Sequence, residues 1–313
     1  MDAKAVSSKL RLLEDNISRV FIGKPEALRL TLTAFFGEGH LLLDDAPGVG
    51  KTLLGRALAR SLDASFSRIQ FTSDLLPSDV VGGEVYNQKT GEFEFVPGPI
   101  FANVVLADEV NRTPPRTQSA TLEAMSERQV SSGGRTYPTP NPFFVVATEN
   151  PLEYEGVYPL PESQLDRFML RLSIGYPDRE AELSILDVCG DGTALDALEP
   201  VLTVEEVLEI QKASREVRLE PPVANYLLDI VETSRRSPEL RVGASPRASL
   251  SFARAAKTYA LIEGRDYVVP DDVKALAVRA LAHRLVPKND RREDSRRAAE
   301  SFVERALATV PAP

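Results

Sequence analysis

The chain has no tryptophan, a single cysteine, two histidines and three methionines among its 313 residues. With Cys189 alone, no internal disulfide can form, and so few imidazoles and thiols exclude a Cys/His zinc site or a histidine-rich metal site. Positive charge is also short: 37 Lys and Arg stand against 46 Asp and Glu, net −9, which argues against a surface built to neutralise phosphate backbones. No apolar run reaches the length of a membrane span. The opening stretch, MDAKAVSSKLRLLEDNISR, carries charges through its apolar positions and has no signal-peptide core, so a soluble, cytoplasmic protein is expected.

What is present is an ordinary globular mixture, 43% hydrophobic and 27% charged, long enough for one large core and a smaller companion. The acidic excess is uneven. The last 63 residues carry 12 basic and nine acidic side chains, so the net acidity belongs to the rest.

Short apolar runs at 40–43, 65–71, 103–107, 143–147 and 169–174 read as buried strands, several of them separated by helical stretches. That alternation predicts an α/β fold with a mostly parallel sheet covered by helices on both faces. After residue 177 the strand runs stop and the pattern turns helical, with Val273, Leu276, Ala277, Ala280 and Leu281 on one face. A division into 1–178 and an all-α domain 179–313 follows, with 189–200 read as a loop. Two segments exceed what a plain layered sheet needs. Residues 72–101 hold a hairpin signal, Lys89-Thr90-Gly91 before Glu92-Phe93-Glu94-Phe95, and 128–143 a second hairpin turning at Ser132-Gly133-Gly134.

The chemistry concentrates where the first strand run hands over to a helix. Gly48-Val49-Gly50-Lys51-Thr52 has the form of a phosphate-binding loop: backbone N–H groups curl around phosphates, Lys51 reaches the β and γ phosphates, and the Thr52 hydroxyl ligates Mg²⁺. The strict G-x-x-x-x-G-K-T spacing would place glycine where this chain has Asp45. A complementary half-site follows the run Val104-Val105-Leu106-Ala107. There Asp108 is placed to hold magnesium through water and Glu109 to orient and deprotonate the attacking water.

The stretches LADEVNRTPPRTQSATLEAMSERQV, FFVVATENPLEYEGVYPLPESQLDRFMLRL and GASPRA resemble the MoxR family of AAA+ ATPases, in the helix 2 insert clade, over residues from about 16 to about 287. The resemblance implies a P-loop NTPase αβα core, ATP and Mg²⁺ as ligands, and a smaller all-α lid. It makes 72–101 the helix 2 insert and 128–143 the hairpin before sensor 1. It places nucleotide contacts at Asp45, Ala46, Pro47, Gly48, Val49, Gly50, Lys51, Thr52 and Leu53, and adenine packing at Phe21, Ile22 and Gly23. The catalytic set it implies is Glu109 with Asn150 as sensor 1, Arg167 as an arginine finger and Arg247 as sensor 2.

Local alternatives stand beside these roles. Asn150 could be a turn former before Pro151, Arg167 a salt-bridge partner of Asp166 or Glu162, Arg247 a solvated helix-start arginine, and Phe21 and Ile22 core. Whether Arg247 acts on its own subunit or the next is open. Tyr86, Phe93 and Phe95 are candidate client contacts or the insert's own small core. Arg291, Arg292, Arg296 and Arg297, interleaved with acidic residues, read as a solvated helix face, and Cys189 as a buried or loop thiol without a role.

The implied activity is ATP hydrolysis in a ring, expected to be a hexamer, that remodels client proteins carrying von Willebrand factor A domains. The alternative is an ATP-driven nucleic-acid motor of the same clade. It is disfavoured by the net charge and by a hairpin tip, Ser131-Ser132-Gly133-Gly134, without a basic residue. A guanine-nucleotide switch lacks its Asn-Lys-x-Asp element.

Overall fold

The computed structural model describes residues 3–150, 157–188, 194–288 and 292–313. Its centre is a five-stranded sheet formed by β1 (Leu41–Asp44), β2 (Phe66–Gln70), β3 (Val104–Asp108), β4 (Phe144–Glu149) and β5 (Leu170–Leu172). The spatial order is β2-β3-β4-β1-β5 with every pairing parallel, as the alternation of strand and helix signals requires. Register is fixed by burial on both faces. Leu41, Leu43, Val104, Leu106, Phe144 and Val146 point into one apolar cluster, while Leu42, Val105, Ala107, Val145 and Ala147 point into the other. A slip of one residue would exchange the two sets.

The first cluster also takes in the N-terminal helices Ala3–Ser18 and Pro25–Phe36, the helix Lys51–Ser61 and the C-terminal helices, so one continuous core runs from Val6 to Ala306. The second lies under Pro77–Val81 and Pro115–Glu127. Beyond Arg179 the chain is helical, principally Val204–Glu216, Pro221–Arg236, Pro246–Ile262, Pro270–Leu281 and Arg292–Thr309. Strand pairing does not stop at 177, however. Leu240–Val242 pairs antiparallel with Val286–Pro287, runs too short for alternation to reveal.

The C-terminal basic cluster needs a second correction. Arg296 does not belong to a solvated face: its guanidinium ion-pairs with buried Asp44 at the end of β1, and with Glu300 at 3.0 Å. Mixed charge along the helix hid a partner 252 positions away. Cys189 and Arg291 lie outside the described residues, as do 189–193 of the expected loop.

Both insertions are hairpins. Gly82–Asn87 pairs with Glu92–Pro97, and Gln129–Ser132 with Arg135–Pro138 across Gly133 and Gly134, whose φ values of +56° and +76° suit a tight two-residue turn. The hairpins touch each other. Phe95 stacks on Tyr137 with centroids 3.8 Å apart, and Gly133 packs so closely on Glu84 that a Cβ there would lie 1.8 Å from its Oε1. Phe95 therefore belongs to the packing between hairpins, whereas Tyr86 and Phe93, paired across the strands at 5.3 Å, are 53% and 65% exposed.

Both histidines are buried and hold backbone together. Val145 N–H donates to His40 Nδ1 at 3.0 Å, which leaves Nε2–H to donate to the Met125 carbonyl at 3.1 Å. Burial lowers the His40 pKa to about 4, with Arg128 adding to the shift. The unfolded chain therefore binds a proton here between pH 6.5 and 4 that the folded chain refuses, so stability falls as pH drops through that window, by up to about 3 kcal/mol, and levels off below it. His40→Gln removes this proton. Its stability deficit at pH 7, measured by urea unfolding, is expected to shrink by roughly 2 to 3 kcal/mol at pH 4.5.

Candidate functional site

The site is built on the end of β1. Its last residue, Asp44, is buried and ion-paired with Arg171 of β5 and with Arg296. The next, Asp45, is 5% exposed and turns its carboxylate the other way. Oδ1 accepts from Ser173 Oγ at 2.7 Å and from Gly175 N–H at 3.0 Å, and Oδ2 accepts from Ile174 N–H at 2.5 Å. The position that the strict motif gives to glycine is thus a clamp that ties the loop to the chain leaving β5. Beyond it, Gly48 and Gly50 take φ of +85° and +95°, which favours glycine, and the helix starts at Lys51. Among the described residues a Cβ on Gly48 would meet nothing within 4 Å, so backbone conformation, not crowding, requires glycine there, and these residues leave the loop open above it. A Cβ on Gly50 would lie 3.4 Å from Phe21 Cε2, so the Phe21 ring sits against the loop while its body joins the core. Lys51 Nζ donates to the Asp45 carbonyl at 2.8 Å.

Two strands away, Asp108 and Glu109 close β3. The Thr148 hydroxyl on β4 donates to Asp108 Oδ1 at 2.7 Å and accepts the Glu109 N–H at 2.8 Å. Glu109 has φ of +58°, a left-handed conformation that costs a non-glycine residue about 1 to 2 kcal/mol, and the Thr148 contact fixes it. The bend aims its carboxylate across the strand ends. Gln70 Nε2 donates to Glu109 Oε2 at 2.7 Å, and Arg112 Nε lies 3.2 Å from the same oxygen. Arg68, also on β2, holds Asp108 Oδ2 through Nε at 3.2 Å and Nη2 at 2.7 Å.

Asn150, at the end of β4, is buried. The two arginines expected to act with these groups lie elsewhere. Arg167 Nη1 donates to the Leu122 carbonyl at 2.5 Å and the Ser126 hydroxyl at 2.7 Å, both on the helix Pro115–Glu127. Neither suggested ion pair forms: Glu162 is taken by Arg241, and Asp166 by Ser245 and Arg284. Arg247 is exposed in the first turn of Pro246–Ile262. It stands close to Arg284, which burial pushes down to about 10, with Asp166 opposing and Arg247 adding to the shift. Since Ser245 Oγ donates to Asp166 at 2.9 Å, Arg167 and Arg247 come from adjoining segments.

Phe21 is thus brought against the loop of Asp45 to Lys51, and Asp108 ends β3 with Glu109 just beyond it, two strands from that loop. Thr148, Arg68, Gln70 and Arg112 were not anticipated. The available signal was a polar side chain within or at the end of a strand run for Thr148, Arg68 and Gln70, and the i,i+3 spacing from Glu109 for Arg112. An open glycine loop at a helix start, a lysine folded over it and a buried carboxylate beside a second one fit a nucleoside triphosphate with its divalent cation.

Fold and site together define a P-loop nucleotide-binding core with a helical lid. Residues 40–170 match the ATPase family associated with various cellular activities, and 232–305 match the AAA lid domain. The chain is 47% identical to the uncharacterised protein YeaC of Bacillus subtilis, covering 96% of this chain and 93% of that one. It is 40% identical to the chaperone MoxR1 of Mycobacterium tuberculosis, over 99% and 85%. A crystal structure from Cytophaga hutchinsonii superposes with a TM-score of 0.88 at 37% identity, covering 96% and 95%. The chain belongs to the MoxR family of AAA+ ATPases.

The clamp makes a direct prediction. Asp45→Ala removes three hydrogen bonds to a buried carboxylate and should lower stability by about 2 to 4 kcal/mol. It should also weaken ATP binding by loosening the loop, whereas a variant with unchanged thermal midpoint and ATP affinity would show that the carboxylate anchors nothing.

Proposed function

We propose that the chain hydrolyses ATP with Mg²⁺ at the boundaries between subunits of a ring, expected to be a hexamer, and uses the cycle to remodel client proteins in the cytoplasm. Residues 1–178 serve as the nucleotide-binding unit and 179–313 as the lid. The observation that carries this reading is the pair at the end of β3: a buried carboxylate, Asp108, followed by Glu109 in a strained conformation that turns it out of the strand. A protein that only bound nucleotide would have no use for the second carboxylate so held.

In this reading the loop of Asp45 to Leu53 receives the phosphates, with Lys51 on the outer two, and Phe21, Ile22 and Gly23 border the adenine. Thr52 and Asp108 would hold the metal, which when bound neutralises charge on the phosphate oxygens. Glu109 takes the proton of the attacking water, which Asn150 helps to orient. Arg167 serves the neighbouring subunit's site as an arginine finger, worth roughly 10³ to 10⁵ in rate, and Arg247, from an adjoining segment, acts as sensor 2 on its own subunit or on the next.

The client class, proteins with von Willebrand factor A domains, rests on the family resemblance and is in keeping with the name chaperone carried by the Mycobacterium tuberculosis relative. The hairpin of residues 82–97 suits a protein client better than nucleic acid: exposed Tyr86 and Phe93 are accompanied by exposed Glu84, Glu92 and Glu94. Among the described residues no helix is long and apolar enough to cross a membrane.

Glu109→Gln is expected to keep ATP but hydrolyse it at least about 100-fold more slowly, and Lys51→Ala to lose most nucleotide affinity. Equal turnover in wild type and Glu109→Gln would sink the catalytic role. Mixing inactive Arg167→Ala with inactive Glu109→Gln should restore part of the activity, since some boundaries then pair an intact site with an intact finger. Tight ATP-dependent binding of labelled DNA at about 100 mM salt would instead favour the nucleic-acid motor.

A further inference from the structure

Each carboxylate at the end of β3 already has its own guanidinium. Glu109 faces Arg112, and Asp108 faces Arg68. The second pair is no ordinary surface contact. Asp108 retains 12% of its side-chain exposure, and two guanidinium nitrogens converge on one of its oxygens. Its other oxygen takes the Thr148 hydroxyl, so both oxygens are engaged before any metal is considered. Arg68 Nη2 also donates to Gln70 Oε1 at 2.9 Å, and Gln70 in turn holds Glu109. Arg68 and Gln70 reach these partners together because residues two apart on β2 share a face.

We infer that Arg68 competes with the divalent cation for Asp108 and so sets the Mg²⁺ concentration at which the chain holds Mg·ATP. The inference rests on the reading of Asp108 as the metal carboxylate. A unit positive charge within hydrogen-bond distance of a carboxylate weakens that carboxylate's attraction for a second cation, and a dication feels the repulsion twice over. Arg68 thereby makes occupation of Asp108 depend on metal and triphosphate arriving together, since the phosphates bring the negative charge that a balanced cluster lacks.

The test is a binding measurement without turnover. A fluorescent, non-hydrolysable ATP analogue is titrated with the full-length chain in EDTA and then at increasing Mg²⁺, and the Mg²⁺ concentration giving half the gain in affinity is read. In Arg68→Gln that concentration is expected to fall about tenfold, while Arg68→Lys, which keeps the charge, stays near wild type. Arg68 is half exposed at a sheet edge, so the substitutions leave the core untouched, and binding in EDTA reports folding directly. A purely structural role would weaken binding equally with and without metal and leave the half-effect point in place. In Asp108→Asn the Mg²⁺ requirement should rise. If it rises while Arg68→Gln matches or exceeds wild type, the role of Arg68 is overturned alone. If Asp108→Asn leaves the requirement unchanged, the metal assignment falls and the inference with it.

Discussion

Two adjacent buried carboxylates at the end of a single strand govern where everything else can be. A strand sends successive side chains to opposite faces, so Asp44 and Asp45 cannot share partners. Asp44 is met on one side by Arg171 and Arg296, and Asp45 on the other by the hydroxyl and amides of 173–175. An unpaired buried carboxylate costs several kcal/mol, so the fold is committed to bringing β5 and the last helix to this point. The phosphate-binding loop leaves from between these anchors. Its position is therefore set jointly by the neighbouring strand and by a helix from the far end of the chain.

The same economy of charge continues across the strand ends. The chain is acidic overall, yet Asp108 and Glu109 are each paired with arginine, and the site's lysine rests on a backbone carbonyl. Local balance, not the total of −9, decides what the site can take up. On the role proposed for Asp108, a cluster already near neutrality would receive a metal and a triphosphate as a pair more readily than either alone. The strained φ of Glu109 is held within this balance, because Thr148 links its amide to the Asp108 carboxylate.

Sheet and site chemistry were legible where the signal is local. Short runs rich in apolar residues marked all five strands of the sheet, and Gly-x-Gly-Lys-Thr and Asp-Glu marked the two halves of the candidate site, because each depends on neighbours in sequence. What escaped depends on distant neighbours. Arg296 lies in a stretch of mixed charge, and only the third dimension supplies Asp44. Thr148 is a single hydroxyl in an apolar run, and Arg68 a charge in a strand whose outer edge faces solvent. Asp45 looked like a departure from a motif, since the partners that make it a clamp sit 128 to 130 positions further on. The strand Leu240–Val242 was missed for a related reason: three residues hold too little pattern to tell strand from loop.

The contact between the hairpins has a mechanical meaning. Phe95 lies flat on Tyr137, and Gly133 leaves no gap against Glu84, so the two insertions share one small interior although the chain makes them separately. Loops of this kind would ordinarily count as two moving parts. Here they amount to one plate with two stems, one rooted beside the helix Pro77–Val81 and the other continuing from Pro115–Glu127, and Thr117 on the second stem bonds the Leu75 carbonyl at the base of the first. A displacement of either stem would therefore pass to both hairpins and carry the exposed Tyr86 and Phe93 with it.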